Sequence, residues 1–225
     1  MNDIYKYFDK VYVITCPKFK KRHNYIKELF KKHNINKYEF IFGPYSEDLN
    51  LNKLKNLNII HEKINSEKYR NPIATFFSHK LAWETMYKNK YQNCIFFEDD
   101  VKFLNNFENN FINFMENIPT YWSIIQFGWI GNKDLKDNWR HINKQVYLNW
   151  SSISGAHFYG LNRFSCNKLL KHCFPMKKAV DGFIGDITNQ HTKKNNIILF
   201  SISPKKNFAT DQSHSGMFES TFVYQ

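Results

Sequence analysis

An apolar run that stops at three adjacent carboxylates, Ile95-Phe96-Phe97-Glu98-Asp99-Asp100, constrains this chain more than any other stretch. A short uninterrupted apolar run reads as a strand buried on both faces, inside a sheet covered by helices. Carboxylates at the end of such a strand are costly to desolvate and repel one another, so they call for a compensating cation. Oxygen ligands there suit a hard divalent ion, Mg²⁺ or Mn²⁺. Carried through the cluster, the two-residue period of a strand puts Glu98 and Asp100 on one face and Asp99 on the other. In open α/β sheets ligands bind beyond the carboxyl ends of strands, which is where this cluster sits. The competing reading is an acidic surface loop after a core strand.

The flanking sequence extends the α/β pattern. Lys10 to Thr15 reads as a first strand and Lys20 to His33 as a helix whose apolar stripe is Ile26, Leu29, Phe30 and His33. Tyr38 to Phe42 reads as a second strand closed by Gly43-Pro44, giving a βαβ-like opening. No GxGxxG is present, which excludes a dinucleotide-binding Rossmann opening. Arg22, at the start of the first helix, is either a surface arginine or a contact to a phosphate beside free helix N–H groups. Ser46 to Arg70 is polar and reads as a region with one short helix.

Asn71 to Tyr87 predicts a helix in which Phe76, His79, Trp83 and Met86 share one face. His79 there is first a core histidine, with a ligand-facing position left open because the helix runs into the acidic strand. Phe107 to Ile118 predicts a helix, Trp122 to Phe127 a strand, and Gly131 to Lys144 a surface loop of acceptor or lid type. Val146 to Trp150 and Ser154 to Tyr159 read as strands joined by a serine turn, and Phe164 to Cys173 as a helix. Asp181 either caps the segment that follows it or acts as a general base. Asn196 to Ser203 predicts the last strand, and a polar tail containing His214 follows. The fold expected is a single α/β domain over residues 1–225, with a mostly parallel central sheet and helices on both faces.

Charge narrows the partners little. Lys and Arg number 32 against 20 Asp and Glu, a formal +12 that favours anionic partners of any kind. Abundant Lys, Asn, Ile, Phe and Tyr also fit a genome rich in A and T, so the charge alone selects no ligand. The four cysteines, Cys16, Cys94, Cys166 and Cys173, lack metal-site spacing and read as reduced thiols of a reducing compartment. The first residues lack the pattern of a secretory signal, and no apolar run reaches the length of a membrane span. A cytoplasmic setting with at most peripheral membrane contact is therefore expected. On the same grounds the Asn149-Trp150-Ser151 acceptor pattern is taken as chance.

Taken in order, these stretches resemble glycosyltransferase family 25, the lipopolysaccharide-biosynthesis and procollagen galactosyltransferase group. The matching residues are Val11 to Thr15 with Arg22, Ser78-His79 with Trp83, and Phe96-Phe97-Glu98-Asp99-Asp100-Val101. They continue with Trp122-Ser123-Ile124-Ile125, Gly155 to Tyr159, and Val180-Asp181. The resemblance implies a GT-A-like fold and a metal-dependent, inverting transfer of a hexose, galactose or glucose, from a UDP-sugar. The acceptor would be a hydroxyl of a glycan, a lipid-linked glycan or a hydroxylated protein. In that frame Asp100, Glu98 and His214 are the expected contacts to Mn²⁺ or Mg²⁺. Arg22, His79, Glu98 and Asp99 are the expected donor-binding residues. Asp181 is the expected base, with Asp186 its competitor. Two other readings stay open: a metal-dependent nuclease using the Asp100-Val101-Lys102 spacing, which lacks an upstream acid on a strand, and a binding domain without turnover.

Overall fold

The computed structural model describes residues 4–65, 67–130, 140–149, 154–188 and 199–211. The chain opens with α1 (Ile4–Tyr7), β1 (Lys10–Thr15), α2 (Lys20–Lys32) and β2 (Tyr38–Phe42). A short α3 (Leu51–Asn56) and the long α4 (Arg70–Lys88) lead to β3 (Asn93–Glu98), β4 (Val101–Phe103) and α5 (Phe107–Met115). Then come β5 (Ile124–Gln126), β6 (Arg140–His141), β7 (Val146–Leu148) and β8 (Phe158–Asn162). Helices α6 (Arg163–His172) and α7 (Val180–Thr188) precede β9 (Ser201–Pro204) and β10 (Ala209–Asp211).

Side-chain alternation along the central strands sorts the core into two layers. In β1, Tyr12 and Ile14 face one side and Val11 and Val13 the other; in β3 the same split separates Cys94 and Phe96 from Ile95 and Phe97. The first side packs on α4, α6 and α7 through Phe76, Trp83, Met86, Leu169 and Ile184. The second packs on α2 and α5 through Ile26, Phe30, Phe111 and Phe114. Both faces of β1 and β3 are thus dry, which is why their sequences are continuously apolar rather than alternating. Aromatic rings continue across the strands: Tyr12 stacks on Phe96 and Phe96 on Tyr159 on one face, Phe97 on Phe158 on the other.

Among the described residues the main sheet has 8 strands in the order β2-β1-β3-β8-β5-β9-β7-β6. Strands β8 and β7 run against the others, so most strands share one direction, as expected. The pairings of β8 with β3 and β5 are antiparallel. A separate two-stranded ribbon pairs β4 with β10, placing Asp211 opposite Val101. No helix among the described residues is long and apolar enough to cross a membrane.

Several boundaries differ from the sequence expectation. The predicted strand Ser154 to Tyr159 is realised as β8, which starts at Phe158 and runs on to Asn162. Gly155 takes a positive φ of 100° and its N–H is bound by Asp181, so its neighbourhood is a turn instead of pleated strand. The strand predicted over Asn196 to Ser203 as the last one is realised as β9, which begins at Ser201 and is followed by β10, while Ile197 and Ile198 lie outside the described residues. The serine turn at 151–153 and the predicted loop up to residue 139 also lie outside them. All four cysteines are buried and unpaired.

Candidate active site

The acidic cluster sits where the strand pattern ends. β3 stops at Glu98, and Asp99 and Asp100 form the turn into β4. The expectation that Glu98 and Asp100 share a strand face fails for this reason, since the two-residue period does not continue through a turn. Each carboxylate instead has its own surroundings. Glu98 turns to α4, where its Oε1 lies 2.9 Å from His79 Nε2. Asp99 accepts from Thr15 Oγ1 through Oδ2 and from Arg22 Nη1, at 3.0 Å, through Oδ1. Asp100 Oδ2 lies 3.4 Å from the same Arg22 nitrogen. The other oxygen, Asp100 Oδ1, is buried and has no hydrogen-bond partner among the described residues.

Thr15, Arg22, Glu98, Asp99 and Asp100 line a cleft of about 820 Å³ over the carboxyl ends of β1 and β3. Its charges come from distinct elements. Lys18, Lys20, Lys21 and Arg22 enter from the start of α2, whose first turn no side chain caps. Besides the acidic turn, α7 contributes Asp181 and β10 contributes Asp211. Burial raises the pKa of Asp99 and of Asp100, with Arg22 opposing it in both cases. Burial and the neighbouring Asp100 push Glu98 up to about 8. For Arg22 burial works toward a lower value, but Asp99 and Asp100 outweigh it and hold the guanidinium charged. A single buried guanidinium thus faces both aspartates of the turn, and it leaves one carboxylate oxygen without a donor.

That oxygen is the observation that bears on a metal. Among the described residues no group of three His, Cys, Asp or Glu side chains is placed to hold an ion. Mg²⁺ bound with a nucleotide characteristically takes only one or two protein carboxylates, the remaining ligands being phosphate oxygens and water. A buried, unpartnered carboxylate oxygen beside a lysine-lined cleft roomy enough for a nucleotide fits that kind of site. His214, the third expected ligand, lies outside the described residues.

Two of the expected site residues are corrected. His79 is fully buried and does not line the cleft; it reaches the site only through Glu98. Burial pushes its pKa down to about 3, so the pair is a hydrogen bond between a neutral imidazole and the Glu98 carboxyl and not a salt bridge. Its place on the apolar face of α4 dictates this, because that face is pressed into the core. Asp186 is also displaced from the chemistry. Five residues on from Asp181, it is turned roughly 140° around α7, and its carboxylate pairs at 2.8 Å with Lys178 outside the cleft. Asp181 does line the cleft, and it is anchored by the N–H of Gly155 at 2.9 Å and of Gly182 at 2.7 Å.

Other residues of the site escaped the sequence reading. Thr15, the last residue of β1, donates to Asp99 and is itself 2.9 Å from His23 Nε2. His157 lies buried under Gly128 and Gly155, its Nε2 3.1 Å from the Ala209 carbonyl, and it ties β8 to the β10 ribbon. Asp211 was hidden in a tail whose polarity looked like that of a loose end. The signal available for it was that same polarity, since a polar run directly after a core strand needs a polar surface to meet.

The family model of glycosyltransferase family 25 (LPS biosynthesis protein) matches residues 8–184. A search of the curated proteins gives no match. The matched stretch includes α2, the acidic turn and Asp181, and it ends before β9 and β10.

Proposed function

From its membership of glycosyltransferase family 25, to which this chain belongs, we propose that it moves a hexose from a UDP-sugar to a hydroxyl of a glycan or hydroxylated protein, with inversion. The cleft of this GT-A-like α/β fold lies at the carboxyl ends of β1 and β3, where open α/β sheets bind ligands, and this supports reading it as the donor site. The observation that carries the reading is the buried, unpartnered Asp100 Oδ1, next to the basic start of α2.

The charges divide the work. A diphosphate is drawn to the uncapped first turn of α2 and to Lys18, Lys20, Lys21 and Arg22. The same diphosphate is repelled by the carboxylates of the acidic turn, Asp99 and Asp100. Asp100, with Glu98 as a second oxygen, would hold Mn²⁺ or Mg²⁺ between the two. When bound, the ion supplies positive charge against the diphosphate leaving group. Asp99, fixed by Thr15 and Arg22, keeps the guanidinium in place and lies within the cleft for a ribose or sugar hydroxyl.

Asp181 is the base. It takes the proton of the acceptor hydroxyl as that oxygen bonds to the anomeric carbon, while the carbon–oxygen bond to UDP breaks and its electron pair leaves with the β-phosphate. The N–H groups of Gly155 and Gly182 hold its carboxylate in one orientation for that step.

The nuclease reading loses its lysine. Lys102 is exposed on β4 and does not line the cleft. The deciding experiment is UDP release across a panel of UDP-hexoses with Mn²⁺. One donor should be turned over slowly to water, and Asp100→Asn should lower that turnover by at least about a hundredfold. Failure to bind UDP with Mn²⁺ would overturn the assignment.

A further inference from the structure

A buried hydrogen-bond chain runs up to Glu98 from the core. Trp83 Nε1 lies 2.9 Å from the Tyr159 hydroxyl, which lies 2.8 Å from His79 Nδ1, and His79 Nε2 lies 2.9 Å from Glu98 Oε1. Trp83, Tyr159 and His79 are all fully buried. The chemistry of each group fixes the direction of the next bond. An indole only donates, so the Tyr159 oxygen accepts from Trp83. Burial holds the Tyr159 pKa well above its ordinary value, so the hydroxyl keeps its hydrogen. Apart from Trp83, the polar group within its reach is the His79 imidazole, and it donates to Nδ1. A neutral imidazole that accepts at Nδ1 carries its hydrogen at Nε2 and must donate to Glu98.

The rings lock this order in place. The fully buried Tyr159 ring is stacked on Phe96, at 5.0 Å, and on His79, at 5.7 Å, which holds its hydroxyl in place. Glu98 keeps a quarter of its side chain exposed and lines the cleft.

We propose that Trp83, Tyr159 and His79 are positioning residues that pin Glu98 Oε1 and so present its second oxygen to the bound donor in a fixed orientation. The inference rests on the reading of the cleft as a donor site. Without the Tyr159 hydroxyl the Nδ1 lone pair loses its donor, and the ring loses the bond that fixes its tilt. The Nε2–H bond to Oε1 would then loosen, and Glu98 would no longer be held in one orientation. Oε1 accepts from Nε2–H whether or not the carboxyl is ionised, so the arrangement holds in both protonation states.

The unliganded protein tests the chain directly. ¹⁵N NMR of the imidazoles, with His79 assigned through His79→Gln, should show His79 as the neutral Nε2–H tautomer. Tyr159→Phe should keep that tautomer, because Nε2–H retains its acceptor, but should move the Nδ1 resonance as its hydrogen bond is lost, while leaving the urea-unfolding transition cooperative. In turnover with the active UDP-hexose, Tyr159→Phe should lower kcat/KM about tenfold. The same substitution in a Glu98→Ala background should cost nothing further, because its effect passes through Glu98. His79→Gln, which retains an N–H near the Nε2 position, should keep more activity than His79→Ala. A wild-type His79 in the Nδ1–H form, or an undiminished Tyr159→Phe loss in the Glu98→Ala background, would overturn the proposal. Should no UDP-hexose be turned over, the donor reading fails by itself, and the tautomer still decides whether the chain exists.

Discussion

Three neighbouring acids in this chain end up in three different surroundings, and the difference is set by where each leaves the strand. Glu98 is the last residue of β3 and inherits the direction of a strand, toward α4 and His79. Asp99 and Asp100 lie in the turn and are free to converge on Arg22. Because burial and Asp100 raise the Glu98 pKa from its ordinary 4.5 to about 8, the folded chain takes up a proton there that the unfolded chain has lost. Stability from this group is full below the ordinary glutamate range and is lost as pH rises toward about 8. In EDTA, the Tm of the wild type should therefore fall as pH is raised across that window. Glu98→Gln should flatten the trend and be the more stable protein, by a few degrees, at its alkaline end. Thermal unfolding of both proteins over a pH series checks this, and parallel curves would show that burial does not hold the proton on Glu98.

At the scale of elements, the site depends on a ribbon outside the main sheet. Strands β4 and β10 pair so that Asp211 comes beside the acidic turn, and His157 fastens that ribbon to β8 through the Ala209 carbonyl. Gly128 leaves the room for this contact: a Cβ there would come within 2.7 Å of His157 Nε2 and 3.0 Å of the Ala209 oxygen. Gly128→Ala should push the imidazole aside, break its bond to Ala209 and destabilise the protein by about 1–3 kcal/mol. Urea unfolding measures that loss. Donor turnover should fall with it, because the element that moves carries Asp211. Helix α4 plays the opposite part, as a rigid backing. Its aromatic face packs on Phe183 of α7 and on the sheet, so His79 has nowhere to point except back toward β3.

Across the whole molecule, the cleft is split between a basic end at α2 and an acidic floor built from β3, α7 and β10. The exposed lysines at the start of α2 act at a distance and through solvent, so their contribution is screened by salt. Lys20→Glu with Lys21→Glu should weaken UDP binding several-fold at low ionic strength and make it less sensitive to salt, as calorimetry would show; unchanged binding would place the diphosphate elsewhere. Much of this layout was legible from residues alone. Periodicity defined β1, α2, β2, α4 and β3 within a residue or two, because each buries apolar side chains at a regular spacing and each helix or strand is a local structure. That Glu98, Asp99, Asp100 and Asp181 are worth singling out was legible too, since carboxylates following apolar segments are costly to bury, and all four line the cleft. Local patterns could not say where a chain leaves its strand, so the facing of Glu98, Asp99 and Asp100 was decided only by the turn after Glu98. Nor could they say which polar groups meet across long separations. The pairing of Arg22 with the turn, the burial of His79 behind Glu98, and the arrival of Asp211 on β10 each join residues some twenty to more than a hundred positions apart. Such contacts follow from how helices and strands pack, not from the spacing of residues along the chain. Sequence therefore determined which acids this protein brings to the end of its central strands, and the tertiary structure decided what each of them faces.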